Sequence, residues 1–128
     1  MSDRPDLVSI SPPPEQLAAP LAERFTVHVE SGPGTTRAIV GPGTMRLSAQ
    51  DMERYPALEI ISINGVGYDG VDIAAAQARG VRVTTTAGVL TNDVADLAIG
   101  LMLAVERRIA VNDRAARAGT WQVPLSRR

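Results

Sequence analysis

Apolar positions along this chain fall into short runs whose spacing shifts from strand-like to helix-like and back. Leu7-Val8-Ser9-Ile10 predicts a short strand, and three prolines follow it, of which Pro14 suits the first position of a helix. Residues 15–24 read as that helix, with Pro20 inside it expected to kink or shorten it by removing a backbone donor. From Phe25 to Val29 the pattern alternates, placing Phe25, Val27 and Val29 on one face of a strand and Thr26 and His28 on the other. Ala38-Ile39-Val40 predicts the next strand, and the turn-rich link before it leaves either a bare loop between parallel strands or a local hairpin at Gly32-Pro33-Gly34. Ser48 and Asp51 have the spacing of a capping box, which opens a short helix ended by Pro56.

The second half begins with an apolar run from Leu58 through Ile60, Ile61 and Ile63, read as a buried strand. The loop Gly65-Val66-Gly67-Tyr68-Asp69-Gly70 comes next, then a short helix from Ile73 to Arg79 closed by Gly80, then a strand from Val81 to Thr84. Strand, loop, helix and strand make a βαβ unit, and alternation of this kind predicts an α/β fold on a parallel sheet. Thr91 is placed as the cap of a longer helix, with Asp93 and Asp96 early and Arg107 and Arg108 near its end. Between these charges, Leu97 to Val105 is apolar on every face, so the helix must be covered on all sides. Ala98, Gly100 and Ala104 would admit another backbone closely, and the cover is either this domain's own core or a second body. A further helix is expected over residues 112–118, stopped by Gly119, with Trp121 as an apolar anchor.

The glycine loop is the stretch with chemical potential. Gly65, Gly67 and Gly70 spell G-x-G-x-x-G where a strand hands over to a helix, which admits a pyrophosphate held at the helix N-terminus. Two features oppose that ligand: the acidic ribose partner about 20 residues on is missing, because Thr84-Thr85-Thr86 stands there, and Asp69 and Asp72 crowd the anion position. A small carboxylate held by the N–H groups of Val66 and Gly67 is a second candidate. A plain turn with Asp72 as helix cap is the third. His28, the single histidine, reads as an outward-facing strand residue with no acid or nucleophile motif beside it.

Composition narrows the class. In 128 residues with a formal net charge of −1 there is no basic footprint for nucleic acid or an anionic membrane. The absence of cysteine removes disulfides and thiolate chemistry and suits a reducing cytoplasm. The longest charge-free apolar run is much shorter than the ~18 residues of a membrane span, and the first residues lack the apolar core of a secretory leader. No metal-ligand motif occurs.

Several motifs in order carry a resemblance: Gly65-Val66-Gly67-Tyr68-Asp69-Gly70-Val71-Asp72, the stretch from Ala75 to Thr84, the stretch from Gly88 to Leu101, and Arg117-Ala118-Gly119-Thr120-Trp121. Together they resemble the N-terminal part of the D-isomer-specific 2-hydroxyacid dehydrogenases, closest to the hydroxypyruvate and hydroxyphenylpyruvate reductase branch. The resemblance covers residues 58–121 well and the earlier residues faintly. It implies a flavodoxin-like, incomplete substrate-binding α/β domain at residues 1–90. It also implies a helical segment at 91–128 of the dimerisation type, leading through residues 124–128 into a Rossmann cofactor domain that lies beyond this chain. It implies that Val66 and Gly67 hold the substrate carboxylate through their amides, that Leu90 and Val94 flank the nicotinamide of NAD or NADP, and that residues 92–109 form a homodimer. It places Gly41-Pro42-Gly43 near the substrate mouth, where the residues alone give an ordinary turn. Where the family often has Thr-Asn-Thr-Pro-Gly, this chain has Thr84-Thr85-Thr86-Ala87-Gly88, which should loosen that loop.

The substrate implied is a small 2-oxo or 2-hydroxy acid. The family's later arginine, glutamate and histidine are not in the chain, so no catalytic residue is assigned and a truncated, inactive dehydrogenase is expected. The alternative is a stand-alone, non-catalytic binding or dimerisation module built on the same fold.

Overall fold

A computed structural model describes residues 4–121; the expected approach to a cofactor domain at residues 124–128 lies outside them. The chain divides into two compact units, Met1–Ala87 and Gly88–Arg128.

In the first unit, five parallel strands form one sheet: β1 (Asp6–Ser9), β2 (Thr26–Val29), β3 (Ala38–Pro42), β4 (Ile60–Asn64) and β5 (Arg82–Thr84). Their spatial order is β2-β1-β3-β4-β5, the flavodoxin-like arrangement, whose switch point falls between β1 and β3. Side chains from the central strands are buried together: Val8, Ile39, Ile61 and Ile63 pack with Met52 and Tyr55 into one core. Near-continuous apolar runs are what a parallel sheet needs at its centre.

The helices begin where local chemistry favours a start. α2 (Ala49–Glu53) opens on Ser48, whose hydroxyl accepts the Asp51 N–H at 3.2 Å while the Asp51 carboxylate accepts the Ser48 N–H at 2.9 Å. The capping box read from the sequence is therefore present, with Asp in the role usual for Glu. α3 (Ile73–Ala78) is capped by Asp72, whose carboxylate accepts from the Ala75 amide at 2.9 Å, and Gly80 closes it with a positive φ of 70°. α1 (Glu15–Arg24) runs its full length despite Pro20, and Pro14 serves as its cap rather than its first residue. Pro20 and Gln16, whose carbonyl loses its donor, are both exposed, so the missing bond does not leave a buried orphan.

The β2–β3 link is a bare loop between parallel strands, without the hairpin that was the other expectation. It passes close against the sheet: a side chain on Gly32 would stand 2.6 Å from Val8 Cγ2 and 2.9 Å from Thr36 Oγ1. Glycine there lets a short crossover lie directly on β1 with no helix between. The strand after α1 begins at Thr26 and not at Phe25, and its two-face pattern is not clean: Val27 and His28 are both half-buried while Thr26 and Val29 are exposed, as befits an edge strand.

The second unit contains α4 (Thr91–Glu106) and α5 (Ile109–Arg117). Leu90, not Thr91, occupies the cap position of α4, and no side chain caps it. Arg108 adopts a left-handed conformation with φ 52°, which breaks the chain between the helices, so α5 starts at Ile109, three residues before the expected start. Gly119 ends it with φ 67°. Neither helix has a buried residue. Among the described residues no helix is long and apolar enough to cross a membrane.

Candidate functional site

The three glycines of the loop after β4 do different things. A Cβ on Gly65 would stand 3.0 Å from the backbone nitrogen and Cα of Gly43, and one on Gly70 would collide with the Met45 carbonyl oxygen. Both glycines are thus required because the segment after β3 presses backbone to backbone against this loop. Gly67 differs. A Cβ there meets the Gly43 carbonyl at 3.6 Å and an Asp69 carboxylate oxygen at 3.9 Å, ordinary contact distances. A Cβ on Gly67 would therefore be accommodated without the clash that one on Gly65 or Gly70 would meet.

The loop is held from both sides. The Gly65 carbonyl accepts from the Thr86 amide at 2.9 Å, the Gly70 carbonyl accepts from the Leu47 amide at 2.8 Å, and the Asp72 amide donates to the Leu47 carbonyl at 3.0 Å. Thr84-Thr85-Thr86-Ala87-Gly88, expected to be loose, is tied to the glycine loop by that first bond, and the Thr85 hydroxyl accepts from the Ala87 amide at 3.4 Å. Within this frame the amides of Val66 and Gly67 donate to no acceptor among the described residues, and Val66 and Tyr68 are each about half exposed. Two successive N–H groups without an acceptor, at the carboxyl end of a parallel strand, are the kind of donors that can serve one small anion.

The same geometry weighs against pyrophosphate. Two of the three glycines are consumed by packing, and Asp72 already occupies the end of a six-residue helix as its cap. Asp69 stands close to Gly67 and would repel a second negative charge more than a first.

His28 is not without an acid, as the sequence suggested: Asp6 of β1 meets its Nε2 at 2.8 Å. The Thr35 hydroxyl donates to the other oxygen of Asp6 at 2.6 Å, so the carboxylate joins β1, β2 and the bare crossover. These hydrogen bonds, Thr35 first and His28 next, hold the Asp6 carboxyl below its usual range. His28 stands on β2, three strands from β4, or about 14 Å across the sheet. The cluster serves the crossover and not the glycine loop.

Leu90 and Val94 sit one helical turn apart at the start of α4, joined by the Val94 amide donating to the Leu90 carbonyl at 3.0 Å, and both are exposed. They belong to the second unit, whereas Val66 and Gly67 belong to the first. Two apolar side chains at this spacing fit the flank of a flat ring, but they offer no ligand for phosphate or ribose. Among the described residues no group of three or more His, Cys, Asp or Glu could hold a metal ion. Met45, whose carbonyl bars any side chain at Gly70, was not among the residues the sequence singled out, whereas Gly43 and Thr86 were noted there only as parts of the Gly41-Pro42-Gly43 turn and the loop at residues 84–88.

Residues 20–121 match a family described as D-isomer specific 2-hydroxyacid dehydrogenase, catalytic domain. A 2-ketogluconate reductase of Gluconobacter oxydans is 36% identical over 99% of this chain and 44% of its own length. A 2-hydroxyacid dehydrogenase structure from Ketogulonicigenium vulgare superposes with a TM-score of 0.90 at 39% identity, over 99% of this chain and 45% of that one. An NADPH-dependent glyoxylate/hydroxypyruvate reductase from Sinorhizobium meliloti, solved with citrate, gives a TM-score of 0.83 at 34% identity over 99% of this chain and 44% of that one. The chain spans less than half the length of these relatives.

Proposed function

The chain belongs to the D-isomer specific 2-hydroxyacid dehydrogenase family, and on that premise we propose that it forms the carboxylate-binding part of a reductase that converts a 2-oxo acid to a D-2-hydroxy acid. Val66 and Gly67 hold the substrate carboxylate through their backbone amides. The observation that carries this reading is the pair of unpaired amides beside Gly67, the one glycine of the loop whose missing side chain the fold itself does not demand. Residues 1–90 act as the substrate-binding domain and 91–128 as the helical segment leading toward a cofactor domain. The hydride would come from NAD or NADP, with Leu90 and Val94 flanking the nicotinamide; these two residues fix an apolar wall and move no proton. No turnover is expected from the chain alone, since its one histidine is bound to Asp6 three strands from the loop. Oxidation of NADH by the purified chain in the presence of hydroxypyruvate would overturn that expectation. A cytoplasmic setting accords with a chain free of cysteine.

The exposed apolar length of α4 supports a homodimer through residues 92–109.

Gly67→Val tests the site. A branched side chain at 67 fills the space before the amides while the contacts of Gly65 and Gly70 stay intact, so carboxylate binding should vanish with the fold preserved. Calorimetric titration with pyruvate reads the first effect and the amide NMR spectrum the second; unchanged affinity would sink the assignment. Asp69→Asn should act the opposite way. Removing an exposed like charge near the anion strengthens binding about threefold at low salt, and the gain should fade as salt screens it.

A further inference from the structure

At the switch point of the sheet, beyond the carboxyl ends of the paired strands β1 and β3, there is a cavity of about 120 Å³. Crevices at this position are where open α/β sheets receive ligands. Its walls are mainly apolar: Pro12, Pro13, Leu17 and Leu21 follow β1, Val40 and Pro42 end β3, and Ser9, Ser11 and Asn64 are its polar residues. No charged side chain lines it. The three consecutive prolines have fixed φ angles, so that wall is set before anything enters.

The cavity adjoins the proposed carboxylate site along two segments. Asn64, the last residue of β4, lines the cavity, and Val66 follows two residues later. Pro42 lines it as well, and its neighbour Gly43 lies so near the glycine loop that a Cβ on it would stand 3.3 Å from the Gly67 carbonyl oxygen. Two residues of extended backbone span at most about 7 Å, within reach of a six-carbon acid whose carboxylate stays on the amides.

We infer that this crevice is a specificity pocket for the non-reacting tail of the 2-oxo acid, and that it selects an uncharged aliphatic tail of about four carbons. This rests on the carboxylate reading of Val66 and Gly67. The size follows from comparison with a closed apolar cavity of about 150 Å³, which accommodates a benzene ring. The polarity follows from the lining: a carboxylate or phosphate at the far end would be desolvated without a cationic partner, and a polyhydroxylated tail would set most of its hydroxyls against Leu17, Leu21 and the prolines, since only Ser9, Ser11 and Asn64 are polar there and the Ser9 hydroxyl already donates to the Ser11 carbonyl at 2.6 Å. Glyoxylate, with no tail, gains nothing from the pocket.

The 128-residue chain is titrated with glyoxylate, pyruvate, 2-oxohexanoate, 2-oxoglutarate and 2-ketogluconate while the Val66 and Gly67 amide signals and the Leu17, Leu21 and Val40 methyl signals are followed by NMR. Affinity should rise by up to about fourfold for each methylene between pyruvate and 2-oxohexanoate, with the methyl signals moving together with the amides. 2-Oxoglutarate and 2-ketogluconate should bind no more tightly than pyruvate. Leu17 is half-buried on an exposed helix, so Leu17→Trp can fill the pocket without breaking the core; it should erase the gain from chain length and leave pyruvate binding as it was. Amide shifts of equal strength for every acid, with silent methyls, would overturn the pocket and spare the carboxylate site. No amide shift with any acid would overturn both.

Discussion

Val8, Ile39, Met52 and Ile61 are fully withdrawn from solvent in the first unit, whereas Leu97, Leu101 and Val105 of the second keep 63%, 58% and 78% of their surface exposed. Residue type does not explain the contrast, because both regions are rich in aliphatic side chains. Architecture does. A sheet has faces that helices and loops can cover, and β3 and β4 each have neighbours on both edges. Two helices in sequence cannot enclose an all-round apolar surface between them. The contrast is that α4 has the composition of a core helix without the surroundings of one among the described residues of its own unit, which is why its apolar length enters the proposal of a homodimer.

The contrast should break most visibly at Gly70. Gly70→Ala drives a methyl into the Met45 carbonyl, and the backbone must move apart to admit it. A loss of about 2–4 kcal/mol from the first unit is expected, of the order seen when a core is overpacked or a special backbone site is violated. Hydrogen exchange separates the units: Ile39 and Ile61 amides should lose protection while those of α4 stay as they were. Equal losses in both units would mean that they unfold as one.

The next effect is on assembly. Leu97 and Leu101 lie one turn apart on α4, and placing glutamate at both puts two charges into any apolar interface built there. Leu97→Glu with Leu101→Glu should weaken self-association by at least about 100-fold, read by sedimentation, with helix content unchanged. A wild-type chain that remains monomeric at every attainable concentration would remove the dimer from the proposal.

The fold was legible wherever the deciding interaction is local. The apolar runs at Leu7, Ile39 and Ile61 become central strands, and the Ser48/Asp51 and Asp72 caps form within three residues of themselves. What stayed hidden depends on partners far apart in the chain. Asp6 and His28 are 22 residues apart and meet only because β1 and β2 pair in the register Asp6↔Thr26 and Val8↔His28. The glycine loop is the instructive case. Its motif was visible, but only the approach of Gly43 and Met45 shows that Gly65 and Gly70 answer to packing and leave Gly67 apart. Thr91 misled for a different reason: a good capping residue stands one place beyond the position that needs it.

The smallest effect concerns acid. In the first unit, the Thr35 hydroxyl and His28 lower the Asp6 carboxyl, the Ser48 hydroxyl and amide lower Asp51, and the Arg37 guanidinium lowers Glu59. A carboxyl lowered by folding binds fewer protons in the folded chain than in the unfolded one, so stability near pH 4 rises with pH. The contribution is therefore complete above about pH 4.5 and is lost as the pH falls through the lowered values. All three pairs are on the surface, which keeps each contribution small and sensitive to salt. The urea midpoint of the first unit should fall between pH 5 and about pH 3. Asp6→Asn should flatten part of that fall, because the group whose protonation drives it is gone while the crossover keeps an amide to accept from Thr35. A midpoint constant from pH 6 to about pH 3 would show that these carboxylates do not distinguish the folded chain from the unfolded one. The acid response would then have to come from some other group, and the clamp at Asp6 would be reduced to a contact without energetic weight.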